Sequence, residues 1–340
     1  MQAFIEKITA GSHLSESEMS SAMKVLMSGE ASPREMEDFL LALRAKGYSV
    51  EEITGAARTM REFSLKVRVC DPVVLDTCGT GGDKKGTFNI STIVAIVAAA
   101  AGIMVAKHGN RSVSSSCGSA DVLEALGVKI GLNSKQAEAC LEEAGIAFLF
   151  APLFHPAMKH AAPIRKKLGV TIFNILGPLV NPAGATHQIV GVYDETYMEP
   201  MIHVLKNLGS KGALVVYAKD GLDEISTTTS TLISEWDGSQ IRRYDIHPED
   251  FGIAPARPED LLGGDLSANV QIVKDILAGK KGPKRDIVVF NAAHALLLVG
   301  KVPTVQEGIA LAKELIDSGK AQEKLDEWID VSQRYGTMQF

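Results

Sequence analysis

Three short stretches of this sequence carry residue types that could do chemistry, and the first is rich in glycine. Asp76-Thr77-Cys78-Gly79-Thr80-Gly81-Gly82-Asp83 ends an apolar run, and Thr87-Phe88-Asn89-Ile90-Ser91-Thr92 opens an apolar, helix-like segment. Glycines let main-chain N–H groups approach phosphate oxygens. A helix start adds unpaired donors and a positive dipole end, so the combination is an anion cradle. Two better-known cradles do not fit. A dinucleotide fingerprint requires glycine where Lys84 stands, and a P-loop requires lysine where Thr87 follows Gly86. An ordinary glycine-rich turn would share this composition.

The second stretch, Lys107-His108-Gly109-Asn110-Arg111, ends the next apolar run and continues through Ser114-Ser115-Ser116 to Gly118-Ser119-Ala120-Asp121. Ligands of open α/β sheets bind beyond the carboxyl ends of the strands, which places this run beside the glycine loop. Lys107 and the hydroxyls could hold phosphate oxygens. Ser119 could equally be a simple cap for a helix starting at Ala120, and His108 a packed side chain. The third stretch is Asp220-Gly221-Leu222-Asp223-Glu224. Adjacent carboxylates repel unless a cation lies near them. In a phosphate-binding protein such hard oxygen ligands point to Mg²⁺, which takes one or two carboxylates plus phosphate oxygens and water. A solvated turn is the plain alternative.

The elements that must position these residues change character along the chain. Up to about residue 69 the pattern is helical only, at 17–28, 33–46 and 50–64, with Pro33 in a first turn where its missing N–H costs nothing. Beyond Pro72, short apolar runs suited to buried strands fall at 73–77, 103–107, 146–151, 189–193, 213–218 and 286–291. Helical stretches at 91–101, 120–126, 134–144 and 199–208 lie between them, several closed by glycine. Strands alternating with helices predict a largely parallel sheet covered on both faces. The reading is an α/β protein: a small, mainly helical N-terminal domain at 1–70 and a larger α/β domain at 71–340. A further helical stretch at 156–168 and the Pro- and Asn-rich connection at 171–182 are expected to pack, as roughly 156–185, on the helical domain. Trp236-Asp237-Gly238 between two alternating segments signals a hairpin.

Composition narrows the partners. Thirty-five Lys and Arg against 41 Asp and Glu leave a formal net charge of −6, with no basic run, so a nucleic-acid footprint is missing. Four cysteines show no zinc spacing and read as reduced thiols. The first ten residues lack the plan of a secretion signal, and the longest apolar run, 93–101, is too short to cross a bilayer. The expectation is a cytoplasmic protein with no membrane partner.

Taken together and in order, GTGGD, NIST, KHGNR with its serines, GSADVLEALG, HPAMK and GLDE closely resemble the anthranilate phosphoribosyltransferases, over nearly the whole chain to Asn291-Ala292-Ala293. The resemblance implies transfer of the phosphoribosyl group of phosphoribosyl pyrophosphate to the amine of anthranilate, a step of tryptophan biosynthesis. It implies that phosphoribosyl pyrophosphate meets Gly79, Gly82, Asp83, Thr87, Asn89, Ile90, Ser91 and Thr92. Lys107, His108, Gly109, Asn110, Arg111, Ser115 and Ser119 would close over the same substrate. Anthranilate would meet Gly79, His108, Asn110, Pro152, His155 and Arg165, the last pairing with its carboxylate. Ser91, Asp223 and Glu224 would hold two Mg²⁺ ions per subunit, in a homodimer joined through the helical domain. No residue stands out as a general acid or base. Read without the resemblance, Arg165 is a surface charge.

One departure is visible: family members commonly carry an Arg before the Thr that precedes the Phe-Asn pair. Here Gly169-Val170-Thr171-Ile172-Phe173-Asn174 lacks it and is one residue shorter. Two rival readings are a pyrimidine nucleoside phosphorylase-like enzyme, against which the Asp223-Glu224 pair argues, and a non-catalytic nucleotide-binding protein.

Overall fold

The computed structural model describes residues 1–111 and 117–338. Four helices come first: α1 (Gln2–Thr9), α2 (Glu16–Ser28), α3 (Pro33–Lys46) and α4 (Val50–Glu62). Ser15, Ser32 and Ser49 each open a helix with a capping box closed by Glu18, Glu35 and Glu52, so the starts are fixed locally by sequence. Glu52 does more than cap. Its buried carboxylate also accepts the Leu14 N–H at 2.9 Å and the Lys46 ammonium at 2.7 Å, tying the α1–α2 loop and the end of α3 to α4.

The chain then alternates: β1 (Val74–Thr77), α5 (Ile90–Ala100), β2 (Met104–Gly109), α6 (Ser119–Leu126), α7 (Ser134–Ala144) and β3 (Ile146–Phe150). A broken passage follows, with short helices α8 (Ala151–Phe154), α9 (Ala162–Leu168) and α10 (Phe173–Leu176) and two single 3₁₀ turns. Next come β4 (His187–Gly191), α11 (Met198–Asn207), β5 (Gly212–Ala218) and the hairpin β6 (Thr231–Trp236) and β7 (Ile241–Ile246). Helices α12 (Leu266–Leu277), α13 (Pro283–Leu298), α14 (Val305–Asp317) and α15 (Lys320–Gly336) close the chain.

The seven strands form one sheet in the order β3-β2-β1-β4-β5-β6-β7. From β3 to β5 every pair is parallel, and β6 and β7 are antiparallel. One expected strand is corrected: residues 286–291 lie inside α13. The run reads as a strand because α13 is buried on nearly every side and shows no polar face to reveal the helical period.

Two apolar cores lie on the two faces of the sheet. Alternation decides which residues enter which: Leu214, Val216 and Ala218 of β5 join one core, and Ala213 and Val215 the other. The first core is covered by α5, α7, α13, α14 and α15. The second takes Phe39, Leu40 and Leu43 of the bundle together with Ile172, Phe173, Leu176 and Leu179 of the broken passage. Among the described residues, no helix is long and apolar enough to cross a membrane.

Candidate active site

Chain order reverses across the β1–β4 pair, with β2 and β3 on one side and β5 on the other, so the crevice past their carboxyl ends is the sheet's switch point. The glycine loop sits there. Cys78 and Thr80 give their N–H groups to the carbonyls of Ile189 and Gly191, which extends the β1–β4 ladder into the loop. Past that point Gly81 and Gly82 take left-handed φ angles of 65° and 86°, turning the chain back toward α5. Asn89 caps α5 by position, but its side chain makes no cap bond to the helix.

Asp223 and Glu224, in the loop between β5 and β6, are half-buried against this corner. Gly81 gives its N–H to Asp223 Oδ2 at 2.9 Å, and Ser91 gives its N–H to Glu224 Oε1 at 3.2 Å. The approach is so close that a Cβ on Gly79 would lie 2.6 Å from Asp223 Oδ2, and one on Gly191 would lie 1.6 Å from the Asp223 carbonyl oxygen. Burial pushes both carboxyls upward, Asp223 further through Asp83 beside it and Glu224 further through Asp223. Lys107, only 2% exposed, does not neutralise them directly; its ammonium donates to the Thr77 carbonyl and to Ser91 Oγ, beneath the loop. Asp83 Oδ2 is buried without a partner at the same corner. Hard oxygens crowded together with too little positive charge are the donor set that Mg²⁺ completes.

A second cluster lies toward the helical bundle. The rings of His108 and His155 meet edge to face, 5.2 Å between centroids, and the Nε2 of each is buried without a partner among the described residues. Burial lowers His108 to about 3 and His155 to about 4, so both rings are neutral near pH 7. Arg165, on α9, is half-buried with its guanidinium 5.3 Å from the Phe173 ring centroid, and its Nε has no partner. Burial lowers its pKa, and among the described residues no carboxylate pairs with it. A desolvated cation without a counter-charge is a site for an anion.

Residues 2–64 match the helical bundle domain of the glycosyl transferase family, and residues 71–322 match its a/b domain. The anthranilate phosphoribosyltransferase of Acetivibrio thermocellus is 53% identical over 332 residues, covering 97% of this chain and 96% of the relative. The chain belongs to the anthranilate phosphoribosyltransferase family. The enzyme of that name from Thermus thermophilus superposes with a TM-score of 0.92 at 42% identity, covering 97% of this chain and 99% of that one. The Saccharomyces cerevisiae anthranilate phosphoribosyltransferase, solved in complex with PRPP and Mg, superposes at 0.90 with 29% identity and covers 98% of each chain.

Within the chain the expected residues divide. Gly79, Gly82, Asp83, Ser91, Lys107, Asp223 and Glu224 gather at the switch point, with Thr92 Oγ1 and Asn89 Oδ1 buried and unpartnered nearby. Thr87 bridges to Leu262, and the Ile90 side chain is in the core while its N–H is given to Phe88. Arg111 turns to the surface and pairs with Asp121 and Glu124 of α6 at 2.7 and 2.8 Å. Asn110 is exposed and Gly109 lies against Ser119 Oγ, where a Cβ would come within 2.5 Å. Pro152 is exposed at the start of α8. Ser115, with Ser114 and Ser116, lies outside the described residues.

One expectation is corrected. Ser119 is not the cap of α6; Gly118 holds that position, its N–H goes to Asp121 Oδ2 at 2.9 Å, and the Ser119 hydroxyl donates to the Asn110 carbonyl at 3.3 Å. Two residues to which the sequence reading gave no role support the site. Asn291 of α13 donates to the Ile225 carbonyl at 2.7 Å and accepts the Ile225 N–H at 3.0 Å, clamping the loop next to Glu224. Fully buried Asp76 accepts the His108 N–H and the Asn181 side-chain amide. Beside the 169–174 segment, Arg44 of α3 donates to the Leu168 and Val170 carbonyls at 3.0 and 3.1 Å.

Proposed function

We propose that this chain joins phosphoribosyl pyrophosphate to anthranilate, giving N-(5-phosphoribosyl)anthranilate and pyrophosphate, the second step of tryptophan biosynthesis from chorismate. The observation that carries the reading is the corner where Asp223 and Glu224 meet the amides of Gly81 and Ser91 at the switch point. In this reading the amides of the glycine loop and of the α5 start hold the diphosphate and ribosyl phosphate, with Thr87, Asn89, Ser91 and Thr92 adding side-chain contacts. Lys107 fixes the loop from beneath. Ser91, Asp223 and Glu224 would hold two Mg²⁺ ions, which when bound neutralise charge growing on the departing diphosphate.

The bond from ribosyl carbon to pyrophosphate oxygen breaks with its electron pair leaving on pyrophosphate, and the amine nitrogen bonds to that carbon. The amine is neutral and sheds its proton after bonding, so orientation matters more than a strong base. Arg165 pairs with the anthranilate carboxylate, and His108, His155 and Asn110 aim the ring. Residues 1–70, with 156–185 packed on them, act as one domain against the phosphoribosyl pyrophosphate-binding domain at 71–340. The subunit pairs as a homodimer through the helical domain and works in the cytoplasm, in keeping with four cysteines of which none forms a disulfide.

Loss of anthranilate fluorescence on mixing with phosphoribosyl pyrophosphate tests the reading in one cuvette. Decay is expected with Mg²⁺ and not after chelation. Undiminished fluorescence with every component present would overturn it.

A further inference from the structure

Three consecutive backbone carbonyls, those of residues 177–179, are each taken by a side chain from a different element. His108 Nδ1 of β2 lies 3.1 Å from the Gly177 oxygen. Gln188 Nε2 of β4 donates to the Pro178 oxygen at 2.7 Å. Arg61 Nε of α4 donates to the Leu179 oxygen at 2.8 Å, and its other arm reaches the Leu208 oxygen at the end of α11. The Val180 backbone lies beside the His155 ring, where it favours the protonated nitrogen. The next residue, Asn181, donates to Asp76, the same carboxylate that accepts the His108 main-chain N–H.

A carbonyl oxygen carries no hydrogen, so a neutral imidazole facing it must place its proton on the nearer nitrogen. His108 is thereby set with N–H at Nδ1 and a lone pair at Nε2, and Val180 beside the His155 ring would set it alike. Both Nε2 atoms are buried and unpartnered, so each is an unanswered acceptor. Two such acceptors suit an aromatic amine, whose two N–H groups are donors.

We infer that Arg61 and Gln188 are positioning residues for the aromatic amine: by holding the 177–179 carbonyls they fix His108 and His155 as acceptors at Nε2. The inference rests on the substrate reading given above and adds residues from outside the cavity, one of them from the helical bundle. It also gives the bundle a part in the reaction, since a shift of α4 moves the Leu179 carbonyl and, through the same backbone, the two ring partners.

The test has two arms. In substrate-free protein, nitrogen-15 spectra of the imidazoles should show His108 and His155 with hydrogen on Nδ1, and Arg61→Met and Gln188→Met should each turn them into mixtures of tautomers. Steady-state rates should show the KM for anthranilate raised about tenfold in both variants, with the KM for phosphoribosyl pyrophosphate within twofold and recovery in Arg61→Lys. Hydrogen on Nε2 of both rings in the unmodified protein would overturn the inference, and so would equal rises in both KM values with unaltered spectra. Because the spectra need no substrate and no variant, they decide the carbonyl frame independently of which amine is turned over.

Discussion

A half-buried guanidinium with no carboxylate in reach keeps its charge against desolvation, and Arg165 is in that state. An anion that enters gains a charge-assisted pair without displacing a native one. Replacing Arg165 with Ala should raise the KM for anthranilate about tenfold to a hundredfold and leave that for phosphoribosyl pyrophosphate nearly unchanged; an unaltered anthranilate KM would count against the assignment. The acid pair makes the complementary case. Asp223→Asn with Glu224→Gln keeps shape and removes charge, so most turnover should vanish and the Mg²⁺ dependence shift, read by titrating rate against metal. Unchanged rates at limiting Mg²⁺ would refute it. Much of this was legible from the chain alone, because glycine, carboxylate and lysine types cluster in sequence. Arg165 was legible only through the family resemblance: its sequence neighbours Lys166 and Lys167 are exposed, and what shields it is Phe173, beyond a turn. Asp76 stood in the glycine-rich stretch without a role of its own, and Asn181 and Gln188 gave no signal, since each acts by reaching backbone groups elsewhere in the chain.

Elements bring the corner together, and their tolerances are tight. The loop carrying Asp223 lies on Gly191 of β4 so closely that a methyl group there cannot be accommodated by side-chain movement, because the obstacle is backbone. Gly191→Ala should therefore displace the 222–225 loop and abolish Mg²⁺-dependent activity, and a crystal structure with the loop unmoved would contradict this. Asn291 supplies the opposite wall. Asn291→Leu leaves the buried Ile225 N–H and carbonyl without partners, so denaturant titration should show a loss of about 2–3 kcal/mol; a variant within 0.5 kcal/mol, about the scatter of a neutral surface change, would sink the clamp. The alternation of strands and helices was readable because buried strands are short and glycine closes the helices. Residues 286–291 misled because Ile287, Val288 and Val289 are β-branched and buried throughout. The better clue was Pro283, placed in the first turn of α13. The 168–182 passage was unreadable in detail: its turns are set by Arg44, Arg61, His108 and Gln188, none of them local.

At the scale of the whole molecule, buried titratable groups pull stability in opposite directions as pH falls. His108, His155 and His294 are lowered to about 3, 4 and 4, each chiefly by burial. Their unfolded value is near 6.5, so below that pH the unfolded chain binds protons that the folded one refuses, and acidification from 6.5 toward 4 destabilises. Asp76, raised to about 6 by burial, acts oppositely: the folded form takes the proton first, and stability rises as pH falls through 6. His294 isolates one histidine, since it sits on α13 among Phe251 and Phe290 and is bonded to its own helix at Phe290. Replacing it with Leu keeps an apolar filling and deletes the proton acceptor. Between pH 6 and 4.5 the stability of the unmodified protein should fall more steeply than that of the variant, by up to about 1.4 kcal/mol per pH unit, the slope of one proton. Urea midpoints taken at pH 6, 5 and 4.5 measure that difference, and parallel curves would mean that His294 already exchanges its proton in the folded state, so that the interior around α13 opens to water on acidification.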